Sequence, residues 1–173
     1  NSAAIGFNGV LCVELSGVNA TSSIGLFFQA VQTAPNVVTK NPSNSIVKGL
    51  VINRFRRAIQ IDGDGGGANP VVPPTGIGIY GNFLGTDTTG LTDVTSSTSQ
   101  AIRLEGANAT LIGSSQAADR NIISGYGAGI LINQNSNPFN STYAPAGRGG
   151  GSNVITNNYI GTDKTGLAAL GHT

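Results

Sequence analysis

A chain of 173 residues, 39% hydrophobic and only 10% charged, with 26 glycines and neither Met nor Trp, does not read as a helical or α/β protein. Its apolar residues fall in regular short pulses, which excludes disorder and predicts one ordered all-β domain. A net charge of +1 supplies no field to recruit nucleic acid or an anionic membrane, and no apolar run approaches the roughly 20 residues of a membrane span.

The chain opens on Asn1 rather than Met, which predicts that a leader or a larger N-terminal part has been removed. Cys12, the single cysteine, cannot form an internal disulfide, and in Val10-Leu11-Cys12-Val13 it reads as a small buried hydrophobe. Beyond it, runs of Val, Ile, Leu and Thr bounded by Gly, Asn and Ser predict strands near residues 50–55, 58–61, 77–80, 101–105, 110–113, 121–126, 129–132 and 154–156. Residues 133–151, with Pro138, Phe139, Tyr143 and Pro145, read as a long insertion between strands, where contacts are usually carried.

Two internal repeats organise these strands. Asn82-Phe83-Leu84-Gly85-Thr86-Asp87-Thr88-Thr89-Gly90-Leu91 returns as Asn158-Tyr159-Ile160-Gly161-Thr162-Asp163-Lys164-Thr165-Gly166-Leu167, at an offset of 76 residues. Leu50-Val51-Ile52-Asn53-Arg54-Phe55, with Ala58-Ile59-Gln60-Ile61 after it, returns as Asn121-Ile122-Ile123-Ser124-Gly125-Tyr126, with Gly129-Ile130-Leu131-Ile132 after it, at an offset of 71. Each long repeat holds about six strands, enough for two coils of three, which predicts a β-solenoid whose coils stack in parallel at about 4.8 Å. Strand periodicity then turns Ile59, Ile61, Ile102, Leu104, Ile130 and Ile132 inward, and Gln60, Arg103 and Leu131 outward. Asn and Gly at strand ends, including Gly81, Asn82, Asn121, Asn153, Asn157 and Asn158, suit tight corners and side-chain ladders. In the Thr-Asp-x-Thr-Gly segments, Asp87 and Asp163 are expected to accept backbone N–H bonds while glycine takes positive φ.

Lys48-Gly49-Leu50-Val51-Ile52-Asn53-Arg54-Phe55, Arg120-Asn121-Ile122-Ile123-Ser124-Gly125 and the two Gly-Thr-Asp-x-Thr-Gly copies resemble the right-handed β-helix repeat proteins of the pectate-lyase-like superfamily. Val13-Glu14-Leu15-Ser16-Gly17 looks like an earlier strand of that pattern, so most of the chain is covered. The resemblance implies a right-handed parallel β-helix with three strands per coil, at home in bacterial secreted and surface proteins. The general hand of parallel crossovers agrees.

The resemblance also implies a search for clustered carboxylates with a basic residue one coil away, as lyases of the superfamily use. No such set stands out, and no catalytic residue is assigned. Asp62 and Asp64, in Asp62-Gly63-Asp64-Gly65-Gly66-Gly67, offer hard oxygen ligands for Ca²⁺; the alternative is a glycine-rich insertion without an ion. Arg54, Arg56 and Arg57 form the densest basic group, either a contact for an acidic glycan or other polyanion or a solvated edge. His172 has no partner in sequence that would make it a base. Asn19, Asn108 and Asn140 head N-glycosylation sequons.

Neither end shows the polar cap that a solenoid normally carries. If Asn1 followed Thr173, Ile5 would fall 11 residues beyond Leu167, the separation of Ile102 from Leu91, so that Ile5-Gly6-Phe7-Asn8-Gly9 would mimic Ile102-Arg103-Leu104-Glu105-Gly106. Head-to-tail stacking of copies is expected on that basis, with Ile5, Phe7, Leu167 and Leu170 as self-association residues. The competing explanation is a segment of a longer β-helix flanked by coils of the same chain. The expected function is a structural or adhesive solenoid, extracellular or at the cell surface; the alternative is a polysaccharide-binding or lyase-like β-helix.

Overall fold

The computed structural model describes residues 1–20, 24–34, 37–63, 73–95, 97–133 and 151–171. Its strands are β1 (Val13–Ser16), β2 (Ile24–Gln29), β3 (Val31–Ala34), β4 (Val37–Lys40), β5 (Ile46–Lys48), β6 (Leu50–Asn53), β7 (Arg57–Asp62), β8 (Gly78–Tyr80), β9 (Phe83–Leu84), β10 (Ser97–Glu105), β11 (Leu111–Ile112), β12 (Ile122–Ile123), β13 (Tyr126–Asn133), β14 (Val154–Ile155) and β15 (Tyr159–Ile160). One 3₁₀ turn, Ala117–Asp119, is the only helical segment among the described residues.

Thirteen of these strands form three parallel sheets. Sheet I runs β1-β6-β9-β12-β15, sheet II β2-β7-β10-β13 and sheet III β5-β8-β11-β14. The chain visits the sheets in rotation, and each return sets a strand beside the previous one. The hairpin β3–β4 is antiparallel and stands outside that rotation.

The residues that make strands here are those that fill the interior. Leu15, Ile52, Leu84, Ile123 and Ile160 pair in one register column of sheet I. Val47, Ile79, Ile112 and Ile155 do the same in sheet III, and Phe28, Ile61, Leu104 and Ile132 in sheet II. The middle members are fully buried, each such side chain contributing about 1.5–3 kcal/mol. Ile59, Ile61, Ile102 and Leu104 are inward as expected, whereas Ile132 is 39% exposed because β13 is the edge of its sheet. Gln60 faces the outer side as expected, in register with Arg103, and is buried there beneath a polar network.

Cys12 corrects the sequence reading as well. It is exposed, because it precedes β1 and joins no strand.

Asparagines at the corner between sheets III and I form the ladder. Asn82 Oδ1 accepts the Leu50 N–H at 3.0 Å, Asn121 Oδ1 the Asn82 N–H at 2.9 Å, and Asn158 Oδ1 the Asn121 N–H at 3.3 Å. Each amide nitrogen donates back to a carbonyl one pass below, on Val47, Ile79 and Ile112 in turn. The ladder closes a corner whose backbone groups face inward.

The 76-residue repeat has a packing reason that sequence did not reveal. At Asp163, Oδ1 accepts the Thr165 N–H at 3.1 Å and its hydroxyl at 2.6 Å; at Asp87 the Thr89 hydroxyl is accepted at 2.7 Å. These turns fold Gly90 over the Phe83 ring and Gly166 over the Tyr159 ring. A Cβ on Gly90 would lie 2.8 Å from Phe83, and one on Gly166 2.6 Å from Tyr159, with φ of +68° and +75°. The aromatic residue and the glycine seven positions later are one packing unit.

Residues 1–9 form a strap over the outer side of sheet I, not a strand resembling residues 102–106. Phe7 packs edge-on against Phe83 with centroids 4.9 Å apart, in a cluster with Val51 and Ile122. The Arg120 guanidinium donates to the carbonyls of Gly6 at 2.5 Å, Ala4 at 3.0 Å and Ala3 at 3.4 Å, and lies 4.7 Å from the centre of the Tyr159 ring. The Tyr159 hydroxyl accepts the Gly6 N–H at 2.8 Å, and the Lys164 carbonyl accepts that of Phe7 at 2.6 Å.

Candidate functional site

The first candidate is the edge formed by β13, β14 and β15. Ile132, Ile155 and Ile160 end their interior columns there and are 39%, 42% and 44% exposed, while Leu104, Ile112 and Ile123 directly beneath them are fully buried. The same edge offers unpaired backbone groups among the described residues. Apolar side chains along strands that are paired on one side only constitute a template for further strand pairing.

The expected self-association residues separate into two environments. Ile5 and Leu167 are exposed, and with Phe7, Lys164 and Thr165 they line a cavity of about 300 Å³. Phe7 itself is buried within its own chain, and Leu170 is half-buried with its N–H donated to Gly161. Three of the four residues are therefore brought together, but Phe7 is already occupied by Phe83.

The second candidate lies at the corner between sheets I and II. Arg54 and Arg56 line an open cleft of about 510 Å³ with Val18, Phe55, Thr95, Ser97 and Thr98 among its walls. Arg54 adopts φ +59°, and Thr95 Oγ1 accepts its N–H at 2.8 Å. One Arg54 nitrogen sits 3.3 Å from Glu14, while Arg56 is exposed and carries no ion pair among the described residues. Arg57 does not join them. It is buried, donating to Gln60 at 3.0 Å and Gln100 at 3.4 Å. Burial, then the charges of Arg103 and Arg56, lower its pKa against the opposing pull of Glu105.

A polar patch that sequence reasoning missed covers the outer side of sheet II. Glu105 accepts from Gln60 at 3.2 Å and pairs with Arg103. Its register partner on β7 is Asp62, so two carboxylates do stand on adjacent strands. The signal was present in the alternation of β10, where Arg103 and Glu105 interleave with Ile102 and Leu104. Asp62 is half-buried, and Asp64 lies outside the described residues. No group of three or more His, Cys, Asp or Glu residues converges among the described residues.

Asn19 is exposed in a turn, whereas Asn108 is half-buried and its Oδ1 accepts the Gly151 N–H at 3.0 Å. Asn140 and His172 lie outside the described residues, as does most of 133–151. No described helix is long and apolar enough to cross a membrane. No family model, curated protein or solved structure matches this chain.

Proposed function

We propose that the chain is a right-handed parallel β-helix with three strands per coil, related to the β-helix repeat proteins of the pectate-lyase-like superfamily, and that it serves as a structural or adhesive element outside the cell or on its surface. The observation that carries this reading is the rotation through three parallel sheets ending in an apolar edge at Ile132, Ile155 and Ile160. Such an edge is a liability unless another strand or chain covers it. Self-association is the role that uses it, and a head-to-tail contact between identical copies yields filaments. Sedimentation velocity over a wide concentration range tests this. Concentration-dependent growth that Ile155→Lys suppresses is expected; a monomer at every concentration removes the reading.

The Arg54–Arg56 cleft favours a second reading, an acidic glycan held on the corner between sheets I and II. Guanidinium groups recognise carboxylate or sulfate, and neighbouring hydroxyls and apolar walls suit a sugar ring. Retention on immobilised polyuronate, weakened by Arg56→Ala and by salt but not by Arg57→Gln, is the expected result. Equal retention of the Arg56 variant excludes this site.

A further inference from the structure

The outer side of sheet III is apolar where a sheet face turned to water is normally polar. Register and alternation send Val47, Ile79, Ile112 and Ile155 inward, so Ile46, Gly78, Leu111 and Val154 form one outward column. Ile46 is 67% exposed, Leu111 38% and Val154 47%.

Gly78 leaves no gap in that column. Atoms Cε2, Cζ and Oη of Tyr80 would all lie within 2.7 Å of a Cβ placed on Gly78, so the phenol is folded back along β8 and laid flat over the glycine. Gly78 is buried beneath it, while Tyr80 is only half-buried and leaves the far face of its ring to solvent between Ile46 and Leu111. Three spacings of about 4.8 Å carry this ledge for roughly 14 Å along the axis, about the length of three sugar rings.

The rim of the ledge is polar and electrically balanced. Lys48, the register partner of Tyr80, meets Asp119 at 2.8 Å, and the Ser114 hydroxyl donates to the other Asp119 oxygen at 2.6 Å. The Asp119 carbonyl accepts the Gly81 N–H at 3.0 Å, which fixes this group beside Tyr80. Lys48 is the only charged residue on the four strands of sheet III, and Asp119 answers it.

These features select among occupants. Stable association with a second copy or another protein buries roughly 800 Å² per partner, far more than four side chains offer when Tyr80 and Leu111 are mostly covered. A balanced ion pair gives an anionic polymer or lipid surface no attraction. A flat ring with aliphatic neighbours in line, edged by a donor and acceptors, suits the C–H faces and hydroxyls of successive sugars. We propose that sheet III is a binding face for a neutral, extended polysaccharide, which lies along the solenoid axis with one sugar on Tyr80 and hydroxyls on Lys48 and Asp119. The face is separate from the Arg54–Arg56 cleft at the corner of sheets I and II.

Depletion of the 173-residue chain from solution by insoluble cellulose, chitin and β-1,3-glucan tests the proposal. Retention on at least one of them, unchanged by high salt and by Arg56→Ala, is expected. Tyr80→Ala should weaken it about tenfold. Because that change also uncovers Gly78, Val154→Asp at an exposed position is the independent variant, and should weaken retention without altering thermal unfolding. Gly78→Ala keeps the phenol but lifts it off the sheet, and should act in the same direction. Retention on none of the three polymers overturns the proposal, as does retention that Tyr80→Ala and Val154→Asp both leave intact. Retention lost with salt or with Arg56→Ala overturns it in favour of the cleft. Self-association that Val154→Asp abolishes, with no polymer retained by either form, overturns it in favour of an interface between copies.

Discussion

Asn121 holds Asn82 twice: its Oδ1 accepts both the backbone N–H, at 2.9 Å, and the side-chain amide, at 3.1 Å. Both residues are fully buried, so truncation strands donors and acceptors away from water. A buried group left unpaired costs about 1–3 kcal/mol, and Asn121→Ala leaves more than one, so a loss of about 3 kcal/mol is expected. Urea unfolding measures it. A loss below about 1 kcal/mol would show that the ladder contributes little.

Gly90→Ala forces a side chain into positive φ and against the Phe83 ring. The backbone part costs about 1 kcal/mol and the collision adds at least as much. In a Phe83→Leu background the collision is relieved, so the two substitutions should couple in a double-mutant cycle. Strict additivity would separate the glycine from the ring.

Hydrogen bonding from Thr165 outweighs burial at Asp163 and, with the backbone N–H groups of Ala168, Thr165 and Leu167, holds its carboxyl below the ordinary range. A depressed folded-state pKa means stability present above the unfolded value, about 3.9, and lost as pH falls through the folded value. Asp163→Asn should therefore be less stable than wild type at neutral pH, and the difference should shrink on acidification below about pH 4. Thermal unfolding from neutrality down to strong acid reads this. A difference that stays constant throughout would assign the turn's stability to something other than the charge.

Production in a host that glycosylates Asn-x-Ser/Thr sites should modify Asn19 and spare Asn108. The first is exposed, while the second has its amide oxygen committed to Gly151. Peptide mapping by mass spectrometry decides between them. Full occupancy at Asn108 would show that its half-burial does not protect it from modification.

Spacing made the interior legible. Alternation at Ile59-Gln60-Ile61 and Ile102-Arg103-Leu104 predicts side-chain direction, and the register pairs those residues one to one. The asparagine ladder was legible for a similar reason, since corner residues of one type recur once per pass. What depended on neighbours distant in sequence was not. Gln60 is buried because Arg57 and Glu105 cover it, Cys12 is exposed because the chain leaves the sheets before β1, and Phe7 docks on Phe83 instead of beginning a strand. The basic triplet likewise divides, because one corner turns Arg54 and Arg56 toward the cleft and sends Arg57 into the sheet II network.

The strap also sets an order of events during synthesis. A stack of this kind otherwise grows by local additions, each pass finding its template in the one just made. Residues 1–9 have no such template: Arg120, Tyr159 and Lys164, which hold Gly6 and Phe7, emerge more than a hundred residues later. Residues 1–9 are thus among the last of the described residues to find their place, through contacts of higher sequence separation than those that pair one pass with the next.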